Sequence, residues 1–390
     1  RPDPGGRSWL PQGSQRRDLV SELDRVMLDP QAVETPVGYV DLGRARNNAA
    51  KVVEYANVHG LRWRPHVKTH KSLTIARLQI EAGASGLTVA TLREAEVMSS
   101  VTDDLLLAYP PVGPNKLERL FALPHRVDLK VALDSVDVLA ELGGASVAAG
   151  RELGVLVEQD MGMGRVGLPS PEAVVELAQI AAETPGIRFR GVMFYPGHIR
   201  MSAPEQDAHL EEVSGMVADT LHALRAAGLE PEIVSGGSTP TIWRSHEVEG
   251  LTEIRPGSCI FYDREGLDVG VADVDDLAYT VLATVVSTAV PGRAVVDAGS
   301  KALAKESRGG GGGFGVLLDR PDILVASVSE EHGVLDVSES DWVPRIGERV
   351  RIIPNHVCVS VNLQDHLLTI DGGAHSLLSL EGRGRGPWQP

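Results

Sequence analysis

Between about residue 60 and residue 265, short apolar segments rich in β-branched residues alternate with segments of helical periodicity. The strand candidates are residues 63–70, 86–91, 104–110, 128–135, 154–160, 189–197, 232–238 and 252–260. The helix candidates include residues 73–83, 171–184 and 205–228. Short, nearly continuous apolar strands between helices predict a parallel sheet that is buried on both faces. Eight such βα units fit a closed (β/α)8 TIM-like barrel, and an open doubly wound sheet is the alternative.

The character of the chain changes after residue 265. β-branched runs, split by Gly, Pro and Asp, cover residues 277–290, 293–299, 322–337, 349–363 and 366–370, with no long helical stretch. This pattern is typical of an antiparallel β domain. Residues 35–42 are a further strand candidate, which precedes the barrel and is compatible with pairing in this second domain.

Composition excludes several classes of protein. The chain has 390 residues and a net charge of −16, which disfavours nucleic acid as a main partner because phosphate binding needs a basic surface. No run approaches the roughly 20 apolar residues that cross a bilayer, so we expect no membrane partner. The two cysteines suit a reducing compartment, and we expect a cytoplasmic location, or an organellar one if a transit peptide has been removed. Residues 1–30 are expected to be a flexible N-terminal lead.

The first candidate centre is the segment 64–71, with the sequence RPHVKTHK. In a barrel of this kind the chemistry lies at the carboxyl ends of the strands. Alternation along a strand would place His66, Lys68 and His70 on one face. A desolvated lysine beside other cations has a lowered pKa, as Schiff-base chemistry requires. The alternative is that both lysines of the segment are ordinary solvated charges.

A second candidate centre is a phosphate site. The sequence SGGSTP at 235–240 follows a strand, and its glycines and hydroxyls can bring donors to an anion. Gly257 and Ser258, after the next strand, strengthen this interpretation, because barrels often bind phosphate between strands seven and eight. Each motif alone is also compatible with ordinary loop chemistry.

The third candidate is the pair His356 and Cys358. If the segment is a strand, residues two apart point to the same face and could share one divalent ion. Two protein ligands leave room for water or substrate, as in a catalytic metal site. The alternative is a buried cysteine beside a hydrogen-bonded histidine.

Taken together, these motifs resemble the pyridoxal 5'-phosphate (PLP) enzymes with the alanine-racemase-like fold, and in particular the D-threonine aldolase and D-serine dehydratase family. The resemblance extends from about residue 35 to about residue 380. It is carried by TPVGYVDLGRARNN, RPHVKTHKS, QDMGMGRVG, YPGH, SGGSTPT, TEIRPGSCIFYD, VVSTAVPGRAVVDAG, SEEHGVLD and IIPNHVCVSVNLQD. It implies PLP as cofactor, a divalent metal (Mn, Mg or Zn) and a homodimer. The implied domains are a lead (1–30), a PLP-binding barrel (31–265) and a β domain with the metal site (266–390).

The resemblance also implies roles for individual residues. Lys68 matches the lysine that holds the cofactor covalently, Arg165 an arginine near the phenolic oxygen, and Tyr195 a tyrosine near the pyridine nitrogen. Arg255 falls where alanine racemases place an arginine near that nitrogen. The phosphate cradle is matched by Gly237, Ser238, Thr239, Gly257 and Ser258, and the metal pair by His356 and Cys358.

The activity that the resemblance favours is D-threonine aldolase, which cleaves small D-3-hydroxy amino acids to glycine and an aldehyde. A metal-activated hydroxide or His198 would take the hydroxyl proton. The pattern His-x-Cys is more similar to D-serine and D-3-hydroxyaspartate dehydratases, which give a 2-keto acid and ammonia, so this alternative stays open. The β domain disfavours a non-catalytic PLP-binding protein. A racemase would need a second base there, and all six tyrosines precede residue 280.

Overall fold

A computed structural model describes residues 28–306 and 312–386 of the chain. Two units of secondary structure are present in these ranges, a sheet of parallel strands surrounded by helices and a mostly antiparallel sheet. The predicted N-terminal lead over residues 1–30 falls almost entirely outside the described residues.

The parallel sheet contains eight strands within the described ranges. They are β2 (Arg62–Trp63), β3 (Leu87–Val89), β4 (Asp104–Leu107), β5 (Asp128–Leu133), β6 (Leu153–Gln159), β7 (Ile187–Phe194), β8 (Ile233–Gly236) and β9 (Glu253–Ile254). Their order is β2-β9-β8-β7-β6-β5-β4-β3, and each neighbouring pair is parallel. The predicted parallel sheet is therefore confirmed.

The two ends of this sheet meet through the residues that follow β2. The Ser85 amide donates to the Trp63 carbonyl at 2.8 Å, and the Thr88 amide donates to the Pro65 carbonyl at 2.9 Å. A parallel bridge also joins His66 to Thr88. These contacts connect β2 to β3, so the sheet curls into the predicted barrel and is not an open doubly wound sheet.

Helices connect the strands of the barrel. They are α1 (Leu42–Val58), α2 (Leu73–Ala82), α3 (Leu92–Met98), α4 (Pro114–Phe121), α5 (Val136–Ala149), α6 (Pro171–Glu183) and α7 (Asp207–Ala226). The predicted caps are present: Ser170 accepts from the Ala173 amide at 3.4 Å, and α2 ends at Gly83 with φ of +116°. No helix in the described ranges, α7 included, combines the length and apolarity needed to cross a bilayer.

The barrel interior is packed and has a charged base. Leu106, Ala132, Leu156, Met193 and Ile233 form its apolar layer. Arg64, 1% exposed, donates to Glu253 at 3.0 Å and to Asp104 at 2.6 Å. Because buried charges need partners, these contacts hold the cation inside the barrel. The packed interior leaves the barrel mouth as the place for a ligand.

The second unit is the predicted β domain. Its strands are β1 (Val37–Asp41), β10 (Tyr279–Ser287), β11 (Arg293–Val296), β12 (Gly315–Leu317), β13 (Val325–Val328), β14 (Gly333–Asp336), β15 (Arg349–Pro354), β16 (His366–Asp371) and β17 (Ala374–Ser379). The short helices α8 (Arg264–Val269), α9 (Ser300–Leu303) and α10 (Val357–Leu363) also follow the barrel strands. The pairs are antiparallel except for β1 with β16.

The strand β1 lies in this second sheet although it precedes the barrel. It pairs antiparallel with β10 and parallel with β16, as the sequence of residues 35–42 allowed. The division into residues 31–265 and 266–390 stays a prediction. The strand β1 lies within the first of these ranges but belongs to the second sheet.

Candidate active site

A cavity of about 230 Å³ opens where the carboxyl ends of the barrel strands face the β domain. Nearly all the predicted site residues line it. They are Lys68, Arg165, Tyr195, Gly237, Ser238, Thr239, Arg255, Gly257, Ser258, His356 and Cys358. Residues more than 280 positions apart in the sequence thus contribute to one wall, as a contact between Thr69 and Cys358 at 3.2 Å shows.

Lys68 lies in a 3-10 turn (Val67–Thr69) and not on the predicted strand. The strand ends at Trp63, so the predicted common face for His66, Lys68 and His70 is wrong. His66 and Lys68 line the cavity, whereas the buried His70 bonds Gln79 at 3.1 Å on the other side of the turn. The 3-10 turn separates these side chains, because it has about three residues per turn, whereas the side chains of a strand repeat every two residues.

The two neighbouring lysines have different surroundings. Lys71 forms a buried ion pair with Glu94. Lys68 is exposed to the cavity, and within the described ranges it has no carboxylate at ion-pair distance. Its Nζ lies 5.8 Å from the centre of the Tyr195 ring. Lys68 is therefore the lysine whose amine is available to a ligand in this cavity.

The predicted phosphate cradle consists of two loops that lie side by side. The Ser258 hydroxyl donates to Thr239 Oγ1 at 2.8 Å, which joins them. In the described part of the chain, the backbone amides of Thr239, Gly257 and Ser258 donate to no protein acceptor. A side chain at Gly257 would meet the His66 carbonyl at 2.4 Å, so glycine is needed for this close approach. Free amides around a tight glycine loop fit a bound phosphate.

Two arginines border the middle of the cavity. Arg165 lies with its guanidinium carbon 5.0 Å from the centre of the Tyr195 ring. Arg255 is buried, and it donates to Ser235 Oγ and to the Phe194 carbonyl, each at 2.6 Å. Burial lowers the pKa of Arg255 to about 10. These contacts fix Arg255 in one position, while Arg165 lies over the face of an aromatic ring.

Glu158 is a cavity residue that the sequence analysis missed. It lies on β6 and is 5% exposed. Burial raises its pKa to about 7, against the opposing effects of Arg255 and Arg165. The available signal was an acidic residue within the otherwise apolar strand LGVLVEQ, because a charge in a buried strand needs a reason.

The metal pair His356 and Cys358 does not lie on a strand. His356 is the N-cap of α10, and Cys358 is in the first turn of this helix, so the predicted strand geometry is wrong. Both side chains nevertheless line the cavity and interact with each other. β15 ends at Pro354, and just before the helix the side-chain amide of Asn355 donates to the Glu306 and Gly313 carbonyls.

The electrostatics of this pair favour the imidazolium of His356 and the thiolate of Cys358, and the thiolate is the form of cysteine that binds a metal ion. Burial opposes the charged form of His356, but Cys358 and Asp263 raise its pKa to about 11. Burial likewise opposes the thiolate of Cys358, but His356 and Lys68 lower its pKa. Ligand atoms of Asp263, Glu265 and His356 lie within 4.8 Å of one another, a cluster that the sequence analysis did not include. The ring nitrogen of His356 and the sulfur of Cys358 are donors that fit Zn²⁺.

His198 is the predicted site residue that the structure does not bring to the cavity wall. Its ring lies 5.9 Å from the ring of His209 and packs on Gly162. Its buried Nδ1 has no hydrogen-bonding partner in the described ranges. His66 Nδ1 is buried and unpartnered in the same way, but His66 lines the cavity. A role of His198 as a base therefore has no support from this arrangement.

Comparison with known proteins agrees with the fold. The family described as "Alanine racemase, N-terminal domain" matches residues 40–265, and "Putative serine dehydratase domain" matches residues 278–370. A 3-hydroxy-D-aspartate aldolase from Paracoccus denitrificans is 32% identical over 92% of this chain and 94% of its own length.

Two solved structures are similar over nearly the whole chain. D-threonine aldolase from Filomicrobium marinum is 32% identical with a TM-score of 0.85, over 91% of this chain and 97% of its own. A cysteine-to-alanine mutant of D-threo-3-hydroxyaspartate dehydratase, solved in a metal-free form, is 31% identical with a TM-score of 0.82. That match covers 91% of this chain and 99% of the dehydratase. The chain belongs to the alanine-racemase-like family of PLP-dependent enzymes that includes the D-threonine aldolases and D-serine dehydratases.

Proposed function

We propose that this family member is a PLP- and divalent-metal-dependent lyase that cleaves D-3-hydroxy amino acids to glycine and an aldehyde. The observation that carries the proposal is the meeting of three features in one cavity: the unpaired Lys68, the glycine loops and the pair His356 and Cys358. An amine, a phosphate site and a metal pair within about 230 Å³ would act on one small substrate.

The residues present fit PLP. Lys68 would hold its aldehyde carbon, and the amides of Thr239, Gly257 and Ser258 would hold its phosphate. When bound, PLP draws electrons away from the bonds to the substrate Cα. The unpartnered nitrogen of His66 in the same wall also indicates that a polar ligand completes this site.

Other side chains would orient the substrate. Arg165 presents a cation to the cavity above Tyr195, where it can pair with the phenolic oxygen of the cofactor or with the substrate carboxylate. Arg255, fixed by two hydrogen bonds, would keep a constant positive charge beside the cofactor ring.

The metal would be held by His356 Nε2 and Cys358 Sγ. A divalent ion on these atoms would lower the pKa of a coordinated hydroxyl group. The thiolate favours Zn²⁺, whereas Mn²⁺ or Mg²⁺ would need the nearby carboxylates. Because the metal pair and Lys68 lie on the same cavity, the 3-hydroxyl and the amine of one substrate could be held together.

A dehydratase that gives a 2-keto acid and ammonia is the second candidate. Cys358 favours it, since a cysteine-to-alanine mutant of a D-threo-3-hydroxyaspartate dehydratase, a protein of similar structure, has been solved in a metal-free form. In this reaction Lys68 would remove the Cα proton, and the 3-hydroxyl would leave. The two reactions need the same residues and differ in which bond is broken.

Product analysis separates the two reactions. The PLP-loaded protein, with Mn²⁺ or Zn²⁺, is incubated with D-threonine, D-serine or D-3-hydroxyaspartate. Glycine and an aldehyde support the aldolase, whereas ammonia and a 2-keto acid contradict it and support the dehydratase. Lys68→Ala should abolish either reaction, and turnover that survives this change would contradict both.

A further inference from the structure

Asp263 joins the end of the barrel to the loop that carries His356. Its side chain is almost completely buried. Asp263 Oδ1 accepts the Gly266 amide at 3.1 Å as the N-cap of α8. Asp263 Oδ2 accepts the Val357 amide at 2.8 Å and lies 3.2 Å from His356 Nδ1. Both oxygens of this carboxylate therefore have protein partners.

The contact with Asp263 determines which nitrogen of His356 is free. An ionised carboxylate can only accept, so the proton of a neutral His356 must be on Nδ1. The lone pair then lies on Nε2. A histidine ligand has to be neutral and must present this lone pair to the metal, and a carboxylate on its other nitrogen is the usual way to fix both ring tautomer and orientation.

Glu265 is the other carboxylate near His356, and its geometry differs. Its Oε2 lies 3.6 Å from His356 Nδ1, beyond hydrogen-bonding distance, and its Oε1 is 3.3 Å from Arg200. Glu265 also lines the cavity. Glu265 is therefore a suitable comparison for Asp263. Both carboxylates lie at a similar distance from His356 Nδ1, but only that of Asp263 is within hydrogen-bonding distance of this nitrogen.

The loop is held on a second side by the residue that follows Asp263. Arg264 Nη1 donates to Asn355 Oδ1 at 3.2 Å, and the same nitrogen donates to the Gly312 carbonyl at 2.6 Å. Asp263 and Arg264 thus contact both sides of the 355–357 loop. They belong to the segment that carries Gly257 and Ser258, so one piece of chain supports the cradle and the metal pair together.

We infer that Asp263 is the positioning residue of the metal site: it holds the Nδ1 proton of His356 and aims Nε2 at the ion. The inference rests on the metal site of the proposed function. By this account Asp263 contributes to metal affinity without binding the metal. Loss of such an outer hydrogen bond typically weakens metal binding about 10- to 100-fold.

The test compares metal affinity in two matched variants, Asp263→Asn and Glu265→Gln, in the PLP-loaded protein. Zn²⁺ affinity is measured by competition with a chelator, and Co²⁺ substitution reports the thiolate ligand through its near-ultraviolet charge-transfer absorption. Asp263→Asn should bind Zn²⁺ about 10- to 100-fold more weakly, and Glu265→Gln should change the affinity much less. Asp263→Ser, which keeps a good N-cap for α8 but cannot reach His356, should show the same loss if Asp263→Asn does not fold.

Equal Zn²⁺ affinity in Asp263→Asn and the unmodified protein would overturn the inference. A loss in Glu265→Gln as large as in Asp263→Asn would also overturn it, because a carboxylate would then be a direct ligand. If the unmodified protein shows no thiolate-to-cobalt absorption, the proposed metal site itself fails, and the inference fails with it. This outcome is distinct from the first two, in which the absorption is present.

Discussion

The buried Glu158 makes a quantitative prediction about stability and pH. Burial raises the pKa of this carboxyl from an ordinary 4.5 to about 7. Between these values the native protein holds the proton while the unfolded chain releases it. Stability should therefore fall as the pH rises through this window, because the native state must then accommodate a buried negative charge.

The size of the effect follows from the two pKa values. A difference of about 2.5 corresponds to about 3 kcal/mol in the free energy of unfolding over the whole window. Between about pH 5 and about pH 8 the part that is lost is about 2.5 kcal/mol. Glu158→Gln has no charge to bury, so this variant should gain that amount over the unmodified protein as the pH is raised.

The measurement is denaturant unfolding of the PLP-free protein at both pH values. The difference between variant and unmodified protein is taken at each pH, so that the other titrating groups cancel. Glu152→Gln is the control for the same substitution at an exposed position, since Glu152 lies just before the same strand. An equal pH dependence in Glu158→Gln and the unmodified protein would refute the reasoning.

Further predictions concern the lysines, the buried ion pair and His198. Lys68→Ala should lose the visible absorption of the PLP-loaded protein, whereas Lys71→Ala should keep it; the opposite pattern in absorption spectra would contradict the assignment. Glu253→Ala should leave Arg64 partly unpaired and lower the free energy of unfolding by about 3 kcal/mol in denaturant titrations, and an unchanged midpoint would contradict this. His198→Ala should retain most of the lyase turnover, and a loss as complete as that of Lys68→Ala would restore His198 as a base.

The barrel could be predicted because its pattern is local. Apolar strands, helix caps such as Ser170 and the stop at Gly83 are all visible within a few residues of sequence. The barrel strands β2 and β9 are each much shorter than the predicted strand segments, and the 3-10 turns Val67–Thr69 and Ser258–Ile260 occupy the later part of those segments. Sequence periodicity does not predict these turns, which approach each other closely where Gly257 lies against the His66 carbonyl.

The site could be predicted only in part. The residues of the motifs meet in one cavity, but the sequence VCVSVNL alternates like a strand and folds as α10. Here tertiary contacts override the pattern: Ser360 donates to the Ala302 carbonyl at 2.7 Å, and Asp263 accepts the first helical amide. The partnership of Asp263 with His356 spans 93 positions and has no local signal.

Lys68 is proposed as the lysine that holds PLP in a cavity shared with the metal pair. The most direct test is reduction of the PLP-loaded protein with borohydride, followed by peptide mapping by mass spectrometry. The pyridoxyl group is expected on the peptide that contains Lys68, and none is expected on Lys71 when fragmentation distinguishes the two lysines. A pyridoxyl group on Lys71, or on a lysine outside the cavity, would contradict the account.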